Sequence, residues 1–408
     1  MKESIIRNDQ LYRLPWNFAD NAISWLEPTA QCNLYCDGCY RENSANSHKS
    51  LDETKKELDL FKELRRTDGV SIAGGDPLVH PQIIDIVKET VKRKMKPILN
   101  TNGLALTKEF LKKLKDAGVF GFTFHIDSKQ GRPHWKGKNE IELNELRLHY
   151  AEMLAEAGNI SCSFNATVYE DTLKYVPDLV KWAGEHIDIV QVMVFIAYRH
   201  VVPQLPFDWY IGGNKIDRNI LHYSTTTEKK VDILSTDMVA EVKKYLPEFT
   251  PSGFLNGTEK PDSYKWLFTE RVGTKKKILG YLGPKFLELV QTQYHLWKGT
   301  YLAYASPNFT KLGKTVFLFS LLDKGARQAA KNYLKTVIKN PLNLFRRMHY
   351  QTVLMIQPVD FLQDGRQNMC DSCPDITVWN NTLVWSCRLE ELKEFGSFAR
   401  TVPINGEK

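Results

Sequence analysis

Strand-like and helix-like segments alternate along the first half of the chain. Short apolar or alternating runs predict strands at 22–28, 69–73, 97–100, 120–126, 160–168 and 187–196. Between them, apolar residues at helical spacing predict amphipathic helices at 51–66, 81–94, 108–117, 143–157 and 173–183. Short connections between such units imply parallel strands joined by right-handed crossovers. The pattern therefore predicts an α/β fold with a partial (β/α)6 TIM-like barrel over residues 21–210.

The rest of the chain divides into three further segments. We expect an N-terminal arm at 1–20, a helical insert at 211–360 and a C-terminal segment at 361–408. The stretch 262–350 holds 16 Lys and Arg against 4 Asp and Glu. Its net positive charge therefore exceeds the net charge of the whole chain, which is +7. Lys275–Lys277 and the run from Leu342 to Arg347 read as amphipathic helices with basic flanks.

Two interpretations of this insert remain open. It is either a helical lid with an ordinary core and a solvated basic face, or a lipid-handling lid. The second kind of lid would rest on an anionic membrane and pass a hydrocarbon chain into the barrel mouth. The apolar run Val316–Leu322 is too short to span a bilayer. Nucleic acid is not expected as a partner, because Leu and Ile separate the basic residues.

Composition indicates a folded cytoplasmic protein, with peripheral membrane contact only under the lipid interpretation. The hydrophobic fraction is 42% and the charged fraction is 25%, both ordinary for a globular chain. The first residues contain no apolar run of signal-peptide length. The seven cysteines fall into two groups of three and a lone Cys162, which suits a reducing compartment where thiolates bind metal.

Cys32, Cys36 and Cys39 form a Cys-x3-Cys-x2-Cys loop directly after the first predicted strand. Three thiolates on one loop can hold three irons of a [4Fe-4S] cluster and leave the fourth iron open for chemistry. Two alternatives remain: a zinc site, which usually needs a fourth ligand, and a disulfide, which would leave one thiol over.

Further polar motifs follow the ends of later strands, in chain order. They are Gly74-Gly75-Asp76-Pro77, Asn100-Thr101-Asn102-Gly103, His125-Ile126-Asp127 and Asn165. Each alone is an ordinary turn or core feature. Because the carboxyl ends of parallel strands meet at one edge, these residues are expected beside the cysteine loop.

Together, the cysteine loop and the strand-end motifs resemble the radical S-adenosylmethionine (radical SAM) superfamily, in particular the branch of the molybdenum-cofactor GTP cyclase. The resemblance covers roughly residues 20 to 200. It implies a catalytic [4Fe-4S] cluster on Cys32, Cys36 and Cys39, and a reductase such as flavodoxin or ferredoxin. It also implies contacts with SAM from Gly74, Gly75, Asp76, Thr101, Asn102, Asp127 and Asn165. Two positions depart from the family pattern: Asp76 stands for Glu, and His125 stands for Ser.

Cys370, Cys373 and Cys387 form a second group with Cys-x2-Cys-x13-Cys spacing. This spacing is similar to the auxiliary-cluster motif of the GTP cyclase, which implies a second [4Fe-4S] cluster. The chain end lacks that family's Gly-Gly tail, so the GTP reaction itself is not expected. The alternative is a zinc knuckle that Asp371 or Asp375 completes.

The expected function is hydrogen abstraction from an unactivated carbon by way of SAM cleavage. The basic apolar insert is also similar, more loosely, to radical SAM enzymes of lipid biosynthesis such as tetraether-forming enzymes, so a lipid or isoprenoid chain is the expected substrate. Two alternatives are a maturase of a ribosomal peptide and a membrane-surface electron-transfer module.

Overall fold

The first half of the chain forms the predicted α/β barrel. The computed structural model describes residues 6–404, so positions 1–5 of the predicted arm and 405–408 of the chain end lie outside the described residues. The strands of this half are β1 (Tyr12–Arg13), β2 (Ile23–Leu26), β3 (Gly69–Ile72), β4 (Lys96–Thr101), β5 (Gly121–His125), β6 (Ser161–Val168) and β7 (Val192–Ala197). The helices between them are α1 (Leu51–Leu64), α2 (Ile83–Lys92), α3 (Lys108–Ala117), α4 (Asn144–Ala157) and α5 (Val176–Glu185).

Strands β2 to β7 pair in chain order, and every pair is parallel. One helix crosses over between each pair of neighbouring strands, which confirms the partial (β/α)6 architecture. Alternate side chains of each strand pack under these helices and form the main core, with Val70, Ile72, Leu99, Phe122 and Phe124 among its members.

Local sequence signals set several element bounds. Ser50 caps α1 through a reciprocal capping box with Glu53, and Gly118 ends α3 in the left-handed conformation at φ 97°. One predicted bound is wrong: β7 begins at Val192, not at 187. The amides of Ile189 and Val190 donate to the carbonyl of His186, so the preceding residues form a turn.

The predicted helical insert is only partly helical. Its helices are α6 (Ser235–Tyr245), α7 (Pro284–Lys298), α8 (Pro307–Thr310), α9 (Val316–Phe319) and α10 (Lys324–Lys339). Its strands, with the one that precedes it, are β8 (Phe207–Ile211), β9 (Asn214–Ile216), β10 (Gly253–Leu255), β11 (Trp266–Thr274), β12 (Lys277–Tyr281) and β13 (His349–Ile356). The prediction of a helix around Lys275–Lys277 is wrong, because these lysines make the turn of the β11–β12 hairpin and begin β12.

Four insert strands, β10 to β13, enlarge the barrel sheet. Strand β13 pairs parallel with β7, and β11 pairs antiparallel with β13. The resulting eleven-stranded sheet has the order β1-β10-β11-β13-β7-β6-β5-β4-β3-β2, with β12 paired to β11. The backbone amides and carbonyls of these apolar runs therefore bond to neighbouring strands and not within helices.

The exposed part of the insert lies at the end of the sheet opposite the cysteine loop. Gly273 of β11 pairs with His349, the first residue of β13, and β12 and α10 pack at this same end. The cysteine loop leaves the sheet after Leu26, the carboxyl end of β2. The expectation that this part of the insert is a lid over the barrel mouth is therefore wrong.

The C-terminal segment packs against the outer strand of the barrel. Its elements are β14 (Asp360–Phe361), β15 (Gln367–Asn368), β16 (Ile376–Trp379), β17 (Thr382–Trp385), α11 (Leu389–Phe395) and β18 (Arg400–Pro403). Strand β16 packs on β2, and β18 pairs with β8. This packing brings the C-terminal cysteines to the same side of the barrel as the cysteine loop.

Candidate functional site

The cysteine loop is pinned to the loop that follows β5. The amide of Asp37 donates to the carbonyl of Lys129 at 2.9 Å, and the amide of Gly131 donates to the carbonyl of Tyr35 at 2.8 Å. A bridge between Cys36 and Gln130 lies between these two bonds. Backbone contacts therefore hold the cysteine loop against the loop after β5.

The three thiols of this loop are free and lie close to one another. Burial raises the pKa of Cys36 most strongly, and the neighbouring Asp127, Cys39 and Cys32 raise that pKa further. Burial also raises the pKa values of Cys32 and Cys39. Neighbouring thiolates and carboxylates repel one another, so the deprotonated loop favours a bound cation such as iron. The residues present thus fit an iron-sulfur cluster.

No His, Cys, Asp and Glu cluster suited to a single metal ion occurs among residues 6–404. A [4Fe-4S] cube instead takes one thiolate on each iron, and its ligands need not converge on one point.

The two glycines after β3 allow the strand-end turn to approach the cysteine loop. A Cβ atom on Gly75 would lie 2.2 Å from the carbonyl oxygen of Gln31, and one on Gly74 would lie 2.1 Å from that of Thr29. In the native turn, the amide of Asp76 donates to the Gln31 carbonyl at 2.9 Å. Glycine is thus required here for backbone contact between the two turns.

Asp76 is buried and already accepts several hydrogen bonds. The Thr101 hydroxyl donates to it at 2.8 Å, the Asn102 amide at 2.8 Å and the Leu78 amide at 2.9 Å. Burial raises its pKa, and these bonds oppose that shift. Asp76 therefore ties the turn after β3 to the turn after β4, and its contact with the SAM ammonium group stays a prediction.

Asn102 faces the cysteine loop directly. Its Nδ2 donates to Oδ1 of Asn33 at 2.7 Å and lies 3.7 Å from Sγ of Cys32. Oδ1 of Asn165, on β6, is buried without a hydrogen-bond partner among the described residues, and so is Nδ2 of Asn100, on β4. A buried amide without a partner suits a site for a polar ligand.

Asp127 is held by its own surroundings. Nε2 of His125 lies 2.9 Å from its Oδ2, and the amides of Lys129 and Thr167 donate to it. Burial opposes ionisation of Asp127, yet the bonds from His125 and the two amides outweigh it and lower the pKa. His125, which departs from the family pattern, thus keeps this carboxylate charged.

Sequence reasoning missed two buried arginines at the site. Arg132 is 2% exposed and donates to the carbonyls of Asn102 and His125, both at 2.7 Å, while its Nη1 has no partner among the described residues. Arg41 is paired with Glu27 and Glu390 and donates to the carbonyl of Ser386. Each is a single arginine in a loop, so no periodicity or spacing marked it.

The C-terminal cysteines form a second group, in which Cys370 is buried and Cys373 and Cys387 are half-buried. The Cys373 side chain is hydrogen-bonded to that of Cys370, an interaction that raises the pKa of Cys373 together with burial. Burial and the neighbouring Cys373 raise the pKa of Cys387 to about 12. Arg65, which is 1% exposed, donates to the carbonyl of Cys373 at 2.7 Å and stands beside these thiols.

The model of the Radical SAM superfamily matches residues 26–183. AdoMet-dependent heme synthase of Oleidesulfovibrio alaskensis is 26% identical over 162 residues, which cover 39% of this chain and 41% of that protein. Probable GTP 3',8-cyclase of Methanococcus aeolicus is 28% identical over 207 residues, covering 49% of this chain and 66% of that protein. The match thus spans less than half the length of the heme synthase relative.

A solved structure of SuiB from Streptococcus suis bound to S-adenosylmethionine is also similar. It shares 16% identity, covers 56% of this chain and 48% of that chain, and has a TM-score of 0.39. The family assignment rests on the domain match and on the named relatives. Residues 26–183 of this chain therefore form a radical SAM domain.

Proposed function

We propose that this protein holds a [4Fe-4S] cluster on Cys32, Cys36 and Cys39, binds SAM beside it, and removes hydrogen from an unactivated carbon. The observation that carries the proposal is the group of three free, neighbouring thiols at the carboxyl end of β2. When bound, the cluster supplies the electron that cleaves SAM to methionine and a 5'-deoxyadenosyl radical. A reductase such as flavodoxin or ferredoxin would deliver this electron.

The surrounding residues would hold and orient SAM. Gly74, Gly75 and Asp76 fix the turn after β3, and this turn supports Thr101 and Asn102. The partnerless Oδ1 of Asn165 can accept from an amino or hydroxyl group of the ligand.

Arg132 and Asp127 complete the polar lining of this site. Nη1 of Arg132 can donate to a carboxylate, while the charged Asp127 keeps the loop after β5 in place. Together with the turns after β3 and β4, they would exclude water from the reacting atoms.

The C-terminal thiols are proposed to hold a second [4Fe-4S] cluster. Support comes from the neighbouring positions of Cys370, Cys373 and Cys387 and from the buried Arg65 beside them, whose positive charge would offset the negative charge of a thiolate-bound cluster. This cluster would bind substrate or carry an electron.

The substrate is proposed to be a lipid or isoprenoid chain, with the protein peripheral to an anionic membrane. Support comes from exposed apolar side chains among basic residues in the insert. No helix within residues 6–404 is long and apolar enough to cross a membrane. Because this part of the insert lies opposite the cysteine loop, it would hold the enzyme at the membrane rather than feed the barrel mouth.

Anaerobic reconstitution with iron and sulfide tests the two cluster assignments in one experiment. We expect about eight irons per chain in the wild type, and 5'-deoxyadenosine from SAM with dithionite. Cys36→Ala should form no 5'-deoxyadenosine. Cys373→Ala should lose about four irons and retain the electron paramagnetic resonance signal of the first cluster.

Cys162→Ala is the matched control, because Cys162 is buried in the core away from both thiol groups. It should keep the wild-type iron content. Bound zinc without 5'-deoxyadenosine would contradict the radical SAM reaction, and about four irons in an active wild type would contradict the second cluster.

A further inference from the structure

Exposed apolar side chains are concentrated on α9 and the turn after it, on α10, and on the 3-10 helix Pro341–Phe345. Thirteen large hydrophobic residues in the described part of the chain are more than half exposed, and eight of them fall between 312 and 345. Seven of these eight, all but Leu312, form with Leu334 of α10 the set that we call the apolar surface: Leu318, Leu321, Leu322, Leu334, Ile338, Leu342, Leu344 and Phe345. Scattered exposed apolar residues are ordinary, whereas a cluster of this kind marks an interaction site.

The elements that carry the apolar surface pack on one another. The rings of Phe317 and Tyr333 lie 5.7 Å apart, which joins α9 to α10. Lys314 Nζ donates to the carbonyl of Leu344 at 2.6 Å, and Arg327 Nη2 donates to that of Leu321 at 3.1 Å. The exposed leucines are therefore held in place and not on loose chain.

The charge around the apolar surface has one sign. Residues 311–347 contain nine Lys and Arg and a single acidic residue, Asp323. Asp323 is 1% exposed and accepts from the amides of Gly283, Phe286 and Ala326, so it does not offset the charge at the surface. An exposed apolar patch within a positive field matches an anionic bilayer.

The chain on either side of the segment that carries the apolar surface contributes to a cavity of about 310 Å³. Lys311, Arg347 and the buried His349 line it, together with Asn159 and Asp188. Among the described residues neither Lys311 nor Arg347 forms an ion pair, whereas Asp188 lies 3.3 Å from Lys275 Nζ. Two unpaired cations in a recess suit a phosphate group.

We propose that the apolar surface docks on a bilayer of anionic phospholipids and that the cavity takes one headgroup phosphate. The inference deepens the proposed function, because it names the face that meets the membrane. Lys311 and Arg347 lie two residues after the exposed Phe309 and Phe345, so the cations of the recess are close in sequence to exposed apolar side chains. The cysteine loop then points away from the bilayer.

Vesicle flotation of the full-length protein tests the docking. Wild type should float with vesicles of phosphatidylcholine and phosphatidylglycerol, far less with phosphatidylcholine alone, and less at raised salt. Leu321→Ser/Ile338→Ser/Phe345→Ser should weaken binding by about tenfold or more. Lys311→Ala/Arg347→Ala should weaken it by about tenfold.

Each variant has a matched control elsewhere on the chain. Ile141→Ser/Val402→Ser/Ile404→Ser removes exposed aliphatic side chains outside the apolar surface, and Lys112→Ala/Lys113→Ala removes the same charge from exposed positions on α3. Both controls should float as wild type does. Equal loss in a variant and its control would overturn the inference, because binding would then follow total charge or hydrophobicity.

Two further measurements distinguish docking on a bilayer from other occupants of the cavity and of the apolar surface. Thermal stabilisation by inorganic phosphate without flotation would overturn the bilayer and assign the cavity to a soluble phosphate. A dimer in light scattering that the triple serine variant abolishes, without flotation, would assign the surface to a second copy. Flotation by a preparation that forms no 5'-deoxyadenosine would support the docking and count against the proposed reaction, so the two claims fail separately.

Discussion

Gly75 shows why the strand-end motif needs glycine even before a cofactor is considered. An added Cβ would lie within 2.5 Å of two backbone carbonyl oxygens of the cysteine loop, and neither oxygen can move without moving the loop. We therefore predict that Gly75→Ala displaces Cys32 and lowers the iron bound after reconstitution. Iron analysis of the reconstituted variant measures this.

Gly131→Ala is the control for that substitution. Gly131 also borders the cysteine loop, but its nearest atom to an added Cβ is the Tyr35 carbonyl oxygen at an ordinary 3.5 Å. It should keep the wild-type iron content. If Gly75→Ala also did so, the close approach of the two turns would not be what shapes the thiol loop.

The cysteine spacing was sufficient to predict where the thiols gather, because ligand spacing within one loop is a local property. The buried arginines were not predictable in this way. Arg41 finds Glu390 and Ser386 only after the C-terminal segment has folded back on the barrel. Such pairing depends on contacts distant in sequence, and a single arginine carries no periodic signal.

At the scale of elements, the barrel followed from its pattern and the insert did not. In the barrel an amphipathic helix separates each strand from the next. The hydrophobic period of each segment and the order of the segments therefore indicate the same fold. The predicted helical insert contains β11, although Trp266–Thr274 is rich in residues that favour strands once a partner is present. Its partner β13 begins 75 residues after β11 ends, too far for a local pattern to reveal.

Strand β11 also carries a carboxyl group without a cation. Glu270 accepts from the Thr352 hydroxyl at 2.9 Å, and no ion pair to it occurs among residues 6–404. Burial raises its pKa from 4.5 to about 7. The folded protein thus keeps a proton that the unfolded chain releases between these values, so stability falls as the pH rises through this range and levels off above it.

Glu270→Gln should remove this pH dependence. The unfolding free energy of the wild type should fall by up to roughly 3 kcal/mol between about pH 4.5 and 7 because of this group. The variant has no carboxyl group at this position, so its unfolding free energy should not show this decrease. Thermal unfolding of both proteins across this range measures the difference. Glu63→Gln, on the exposed side of α1, should follow the wild-type profile. Parallel wild-type and Glu270→Gln profiles would contradict the prediction.

At the scale of the whole molecule, Arg41 joins the two cysteine groups. It lies two residues after Cys39 in sequence, pairs with Glu27 and Glu390, and donates to the carbonyl of Ser386 beside Cys387. Its side chain is 3% exposed, and the two carboxylates are buried with it. The ion pair with Glu390 and the bond to Ser386 therefore cross the boundary between barrel and C-terminal segment out of reach of solvent.

Arg41→Met should loosen that boundary while the barrel stays intact. Removing the guanidinium leaves the buried Glu27 without an ion-pair partner and Glu390 with only Lys393, and loss of one partner of a buried pair typically costs about 3–5 kcal/mol. Hydrogen exchange followed by mass spectrometry should show faster exchange in β16 and α11, and unchanged exchange in β6. Arg13→Met is the matched control, because its ion pair with Asp371 also joins the C-terminal segment but is partly exposed and contributes about 0–1 kcal/mol. Equal effects of the two substitutions would mean that burial of the Arg41 pairs does not secure the segment, and uniform acceleration in Arg41→Met would mean that the barrel depends on this arginine as well.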